Sequence, residues 1–316
     1  MILTDYFYST PSLGWAYAKQ CGITHGVIRL PETAEFDYTE EAHWIDIYNR
    51  FLSYGITPFL IEPMPNALHD HIKSGDSHRD ASIDAVIRMF PIMDKLNIRT
   101  ICFNFMAYVG WVRTNKDLIE RGGALVTGFD SENYTPSNNA ISAAQLWKNY
   151  EYFIKAILPY AERYHIKLAL HPDDPPVEKL GNVSRIMTSY TNIRKALSLV
   201  PSDMLGVTMC QASYYMMGED LPKVISELGE KIFFVHFRNA SGTKSKFRET
   251  FHDNGSIDMV EMIRLYLKYC PDVPIRVDHV PTMAGEDNGI PGYGEIGRLF
   301  AIGYLKGILE ASCNKN

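Results

Sequence analysis

The chain has 316 residues, of which 46% are hydrophobic and 22% charged, the balance of a globular protein with apolar mass for one large core. Its 31 basic and 37 acidic residues leave a net charge of −6, which excludes the basic surface that displaces counterions from nucleic acid. No apolar run approaches the ~20 residues that cross a bilayer, and the N-terminus MILTDYFYST lacks a basic stretch followed by an apolar one. The expectation is a cytoplasmic protein with neither membrane nor nucleic acid as partner.

Eight short β-rich runs follow one another, at residues 2–6, 26–30, 56–62, 98–104, 166–171, 205–210, 232–239 and 275–279. The interiors of the later runs (KLALH, GVTMC, IFFVHF, IRVDH) are nearly continuously apolar, as in strands buried on both faces of a parallel sheet. Between them lie stretches with helical spacing, such as 143–164 with Leu146, Tyr150, Phe153 and Ile157, and a shorter one at 224–228. Alternation of eight strands with helices predicts a single (β/α)8 TIM barrel, at about 40 residues per unit. No linker, low-complexity tract or change of composition interrupts the chain, so residues 1–316 read as one catalytic domain. Segments 107–139, 172–183, 240–258 and 280–294 are too long for simple turns. The last three directly follow predicted strands 5, 7 and 8, where the loops of this fold build the active-site face.

The five cysteines (Cys21, Cys102, Cys210, Cys270 and Cys313) are odd in number, widely spaced and without a CxxC pair. They read as small buried hydrophobes, with neither a disulfide framework nor a structural zinc cluster. Cys210 stands apart because of where it falls. Predicted strand 5 ends in His171, strand 6 in Cys210, strand 7 carries His236 near its end, and strand 8 ends in Asp278-His279. Singly, each has a bland reading: a hydrogen-bonded histidine, a core cysteine, a capping aspartate. Jointly, four successive strands deliver imidazole, thiolate, imidazole and carboxylate to one rim. That is a divalent-metal constellation with positions left for water or substrate.

Three further features surround it. His171-Pro172-Asp173-Asp174-Pro175-Pro176 is either a stiff turn with Asp173 capping a helix, or a platform for a ligand and its supports. Arg238 shares its strand face with His236, so it either grips a substrate carboxylate or pairs with a structural acid. Tyr293 sits in Pro291-Gly292-Tyr293-Gly294, a turn suited to a lid that closes its phenol over substrate. The chain has no GxGxxG, Walker or GxSxG motif, so nicotinamide, nucleotide and serine-triad chemistry have no support.

These residues, together with Phe103-Asn104-Phe105-Met106, Trp111-Val112-Arg113-Thr114, Gly255-Ser256-Ile257-Asp258-Met259 and Gly292-Tyr293, resemble D-mannonate dehydratase. That is a metal-dependent barrel family related in fold to xylose isomerase. The resemblance implies a Mn2+ (or Fe2+) site built from His171, Cys210, His236 and Asp278, with His279 and Tyr293 in proton transfer. Asn104, Arg113, Arg238 and Asp173 are the candidate substrate contacts. It further implies a homodimer acting on a small sugar acid, converting D-mannonate to 2-keto-3-deoxy-D-gluconate and water. The alternatives are another sugar acid as substrate, or a metal-dependent sugar isomerase or epimerase of the same barrel superfamily. The chain departs from the family pattern where Thr4-Asp5-Tyr6 replaces an Arg-Trp pair and where Gly110 replaces an aspartate.

Overall fold

The computed structural model describes residues 1–313. Eight parallel strands close into a barrel: β1 (Ile2–Tyr8), β2 (His25–Arg29), β3 (Thr57–Ile61), β4 (Thr100–Phe103), β5 (Lys167–Leu170), β6 (Leu205–Cys210), β7 (Ile232–Phe237) and β8 (Pro274–Val277). β1 closes the ring by pairing with β2 on one side and β8 on the other, and the Thr4 hydroxyl donates to the Ile275 carbonyl across that seam at 3.0 Å. All eight predicted runs become barrel strands. Six of them end earlier than the sequence suggests, and at β5, β7 and β8 this leaves His171, Arg238, Asp278 and His279 just beyond their strands, on the rim.

The apolar runs are buried as predicted, since every residue of β6 and β7 is buried. Gly206 is required where β7 crowds β6, because a Cβ there would sit 2.3 Å from the Lys231 carbonyl oxygen and 2.5 Å from the Phe233 ring. Two apolar cores result. Val27, Leu60, Cys102, Ala169, Phe233 and Phe234 fill the inside of the barrel, and the much larger cluster fills the space between strands and helices. Because the barrel interior is plugged by this layer, only the rim above it is left for chemistry.

The outer helices start where side-chain caps permit. The helix Ala143–Arg163 is capped by Ser142, Leu221–Leu228 by Asp220, and Met259–Tyr269 by Asp258, each accepting from an amide of the first turn. The long segments are more structured than loops. The hairpins Asn115–Ile119/Leu125–Asp130 and Ala240–Thr243/Lys246–Glu249 join through Phe247–Phe129 pairing into a four-stranded antiparallel sheet. This sheet grows from the connections after β4 and β7 and carries Glu249. Among the described residues, no helix is long and apolar enough to cross a membrane.

Candidate active site

The rim closes around a cavity walled by Tyr6, Glu62, Asn104, Trp111, His171 and His236, with Asp174, Arg238, Arg276, Asp278, His279 and Tyr293 completing the wall. The predicted donor set converges here, with Cys210 buried beneath the lining His171, His236 and Asp278. Ligand atoms of His171, Cys210 and His236 all lie within 4.8 Å of one another. The Asp278 Oδ2 atom is 4.0 Å from Cys210 Sγ and 3.8 Å from His236 Nδ1.

The two imidazoles are oriented by their other partners. His171 Nδ1 lies 2.6 Å from the Pro172 carbonyl oxygen, which only accepts, so that nitrogen carries the proton and Nε2 is bare. His236 Nε2 lies 2.8 Å from a Glu62 carboxylate oxygen, which orients the ring with Nδ1 toward His171. His171 Nε2 and His236 Nδ1 then face each other at 3.2 Å. Nitrogens each ~2.1 Å from one ion, roughly at right angles, are about 3 Å apart, so the spacing fits joint ligation. Cys210 and Asp278 complete a mixed N, S, O set suited to a transition ion.

The groups behind these donors hold them in place. Glu62 lies between His236 and a bidentate Arg276, whose nitrogens donate at 2.8 and 3.1 Å. Burial alone would raise the Glu62 carboxyl, but Arg276 and His236 reverse that and hold it well below the usual range. Asp278 behaves likewise: burial opposes its ionisation, and His279, Arg276 and His236 together hold it ionised. The Ser213 hydroxyl donates to Cys210 Sγ at 3.3 Å and itself accepts from Arg238 at 3.1 Å. Such supports fix ligand orientation in metal sites.

His279 and Tyr293 form the second pair the sequence singles out. His279 Nε2 is 3.1 Å from the Tyr293 hydroxyl, and the ring of Trp111 meets His279 edge-on at 5.1 Å. Burial, then the Asp278 charge, push the phenol well above its ordinary value, so it is protonated. Tyr293 already lies against His279, its loop pinned by Val280 donating to the Gly292 carbonyl at 2.8 Å.

The four candidate substrate contacts are placed differently. Asn104 borders the cavity, its Oδ1 accepting from the Met106 amide at 3.1 Å. Arg238 also borders it but is 1% exposed, with its donors turned to Asp174 at 2.8 Å and Ser213 at 3.1 Å. It is thus locked in a buried ion pair, where the sequence reading gave a carboxylate clamp as one option. Arg113 lies behind the wall, bidentate to Asp174 at 2.7 and 3.0 Å and 2.6 Å from Glu249. Asp173 turns away from the cavity altogether. Its Oδ2 accepts from the Ile186 and Met187 amides at 3.0 and 2.9 Å, so it caps no helix but pins a loop. Its neighbour Asp174 faces the cavity instead.

Sequence reasoning missed Glu62, Arg276 and Glu249. Glu62 had a signal, as a charged residue closing an otherwise apolar run. Arg276 had one too, lying two positions before Asp278 and therefore on the same strand face. Glu249 lies in a short polar hairpin with no such mark.

Comparison with known proteins agrees with this geometry. A family model described as D-mannonate dehydratase (UxuA) matches residues 12–140 and 132–316. The mannonate dehydratase 2 of Halalkalibacterium halodurans is 32% identical over a 333-position alignment spanning 93% of this chain and 94% of that protein. The mannonate dehydratase of Streptococcus agalactiae serotype Ia is 34% identical, over 81% of this chain and 82% of its own. The crystal structure of mannonate dehydratase from Streptococcus suis serotype 2 superposes with a TM-score of 0.90 at 28% identity, covering 99% of this chain and 95% of that one. An L-ribulose 3-epimerase structure, at 13% identity and a TM-score of 0.63 over 98% of this chain and 96% of its own, shares the fold alone. The chain belongs to the D-mannonate dehydratase family of metal-dependent hydro-lyases.

Proposed function

We propose that this chain removes water from D-mannonate to give 2-keto-3-deoxy-D-gluconate, using one Mn2+ (or Fe2+) ion held by His171, Cys210, His236 and Asp278. The observation that carries the reading is the convergence of His171 Nε2 and His236 Nδ1, 3.2 Å apart, with a buried thiol and a buried carboxylate beside them. The sulfur donor favours a transition ion over magnesium. A divalent ion there supplies electrostatic stabilisation of the negative charge that develops at the substrate carboxylate.

The protein's own residues then have defined tasks. Dehydration takes a proton from the carbon next to the carboxylate and expels the hydroxyl of the following carbon, which leaves as water once protonated. The enol so formed tautomerises to the ketone. His279 and Tyr293, in contact at 3.1 Å on the cavity wall, are the groups to which we give these proton transfers. Asn104 offers its side-chain amide to the substrate, while Arg238 and Arg113 shape the wall through Asp174. We read residues 1–316 as one catalytic domain, acting in the cytoplasm as a homodimer on a small sugar acid, without nucleic acid as partner.

The test is incubation of the Mn2+-loaded protein with D-mannonate and other aldonic acids, with the keto-deoxy acid measured by thiobarbiturate. An isomerase or epimerase would conserve mass and give no such product. In Tyr293→Phe, which keeps the ring, kcat is expected to fall by roughly a hundredfold with metal content unchanged. Turnover within a few fold of the parent would remove Tyr293 from the chemistry.

A further inference from the structure

Glu249 comes from outside the barrel. It ends the strand Lys246–Glu249 of the four-stranded sheet, yet its side chain reaches the active-site wall and is almost wholly buried. One oxygen accepts from the Thr127 hydroxyl at 2.8 Å. The other meets Arg113 Nη2 at 2.6 Å, His279 Nδ1 at 2.6 Å and, more distantly, Arg238 Nη1 at 3.4 Å. Burial would raise this carboxyl, but His279 and Arg113 outweigh it and bring it down to about 2, so it is an anion.

His279 Nδ1 has two close neighbours, Glu249 Oε1 and Arg238 Nη1, the latter at 2.8 Å. They make opposite demands. A carboxylate oxygen can only accept, whereas a guanidinium nitrogen can only donate. Arg238 Nη1 has two protons, and carboxylates already stand ready for both: Asp174 Oδ2 at 2.8 Å, with Glu249 Oε1 at 3.4 Å and Asp278 Oδ2 at 3.5 Å. It needs no acceptor on the imidazole. The anionic oxygen at 2.6 Å does need a proton on Nδ1.

We infer that Glu249 is the positioning residue of His279: it holds the proton on Nδ1, leaving Nε2 bare toward the cavity as the proton acceptor, with the Tyr293 hydroxyl as the donor beside it. The logic is that of a carboxylate orienting a catalytic imidazole. The carboxylate is supplied by a sheet inserted between barrel units rather than by a barrel strand. Arg113 thereby gains a task, as the group that fixes Glu249 and Asp174 together. The inference rests on the assignment of His279 to proton transfer made above.

The test is a double-variant cycle of Glu249→Gln and His279→Gln, with metal content and melting temperature as controls. The single Glu249→Gln change is expected to lower kcat by about tenfold to a hundredfold with KM within threefold. Added to His279→Gln, the same change should alter kcat less than twofold. Equal losses in both backgrounds, or a Glu249→Gln kcat within twofold of the parent, overturn the inference. If His279→Gln itself keeps kcat within a few fold, the failure lies with the assignment of His279. A readout independent of turnover covers a variant that folds poorly, because it also works on the parent alone. In metal-free protein carrying 15N-histidine, His279 should show a protonated Nδ1 and a bare Nε2. The opposite tautomer in the parent overturns the inference.

Discussion

Two adjacent aspartates, Asp173 and Asp174, allow a sharp test because they are chemically identical in sequence and opposite in environment. Asp174 stands between Arg113, which donates at 2.7 and 3.0 Å, and Arg238, which donates at 2.8 Å, with all three side chains at most 2% exposed. Burial opposes its charge, but the two guanidiniums hold the carboxyl well below the carboxylate range. Asp174→Asn keeps the shape and removes the charge, leaving two buried arginines to share fewer anions. Breaking a buried ion pair from one side costs about 3–5 kcal/mol. With an unfolding entropy of ~2.1 cal/mol/K per residue, a chain of 316 residues then loses about 5–8 °C of melting temperature. Asp173 differs, since burial raises its carboxyl and Arg185 and two loop amides offset this only in part. Asparagine there still offers an oxygen to the Ile186 and Met187 amides, so Asp173→Asn should cost less than ~1 kcal/mol, or under about 2 °C. Differential scanning calorimetry of the two variants at pH 7 decides the matter. An Asp173→Asn loss equal to or larger than that of Asp174→Asn would refute the environments argued here.

Further outcomes follow from the same geometry. Cys210→Ser should weaken metal binding on the order of tenfold or more, because the hydroxyl stays protonated where the thiol ionises; full occupancy in Cys210→Ser/His236→Ala would show that the ion is held elsewhere. His252 is pushed down to about 4 by burial, with Nε2 2.8 Å from the Phe237 carbonyl. The unfolded imidazole takes up its proton near pH 6.5 and the folded one only near pH 4. Stability contributed by this site is therefore whole above pH 7 and falls by up to ~3 kcal/mol as pH drops from 6.5 to 4. His252→Gln should flatten that slope in melting curves, and parallel parent and variant curves would exclude the effect. Sedimentation at micromolar concentration should give a dimer, and a strictly monomeric boundary would count against that expectation.

Much of the site was legible before any folding, for a local reason. A strand buried on both faces writes itself as an apolar run, and where the run stops the chain has reached the rim. That is why His171, Cys210, His236 and Asp278 were readable as neighbours: the barrel repeats the same geometry at each strand end. Strand alternation likewise places Arg238 with His236 and Arg276 with Asp278 on common faces. What no local rule reaches is the partner of each charge. Arg276 meets Glu62 across 214 residues, and Arg113 meets Glu249 across 136. These pairings exist only once the ring has closed and the outer sheet has folded over it. Sequence position alone could not say whether Asp173 or Asp174 would face the cavity, because the turn after β5 orients each from contacts made with other segments. For the same reason the arginines expected to grip substrate turned out to grip buried acids: desolvated guanidiniums must be paired, and closure brought carboxylates to them first.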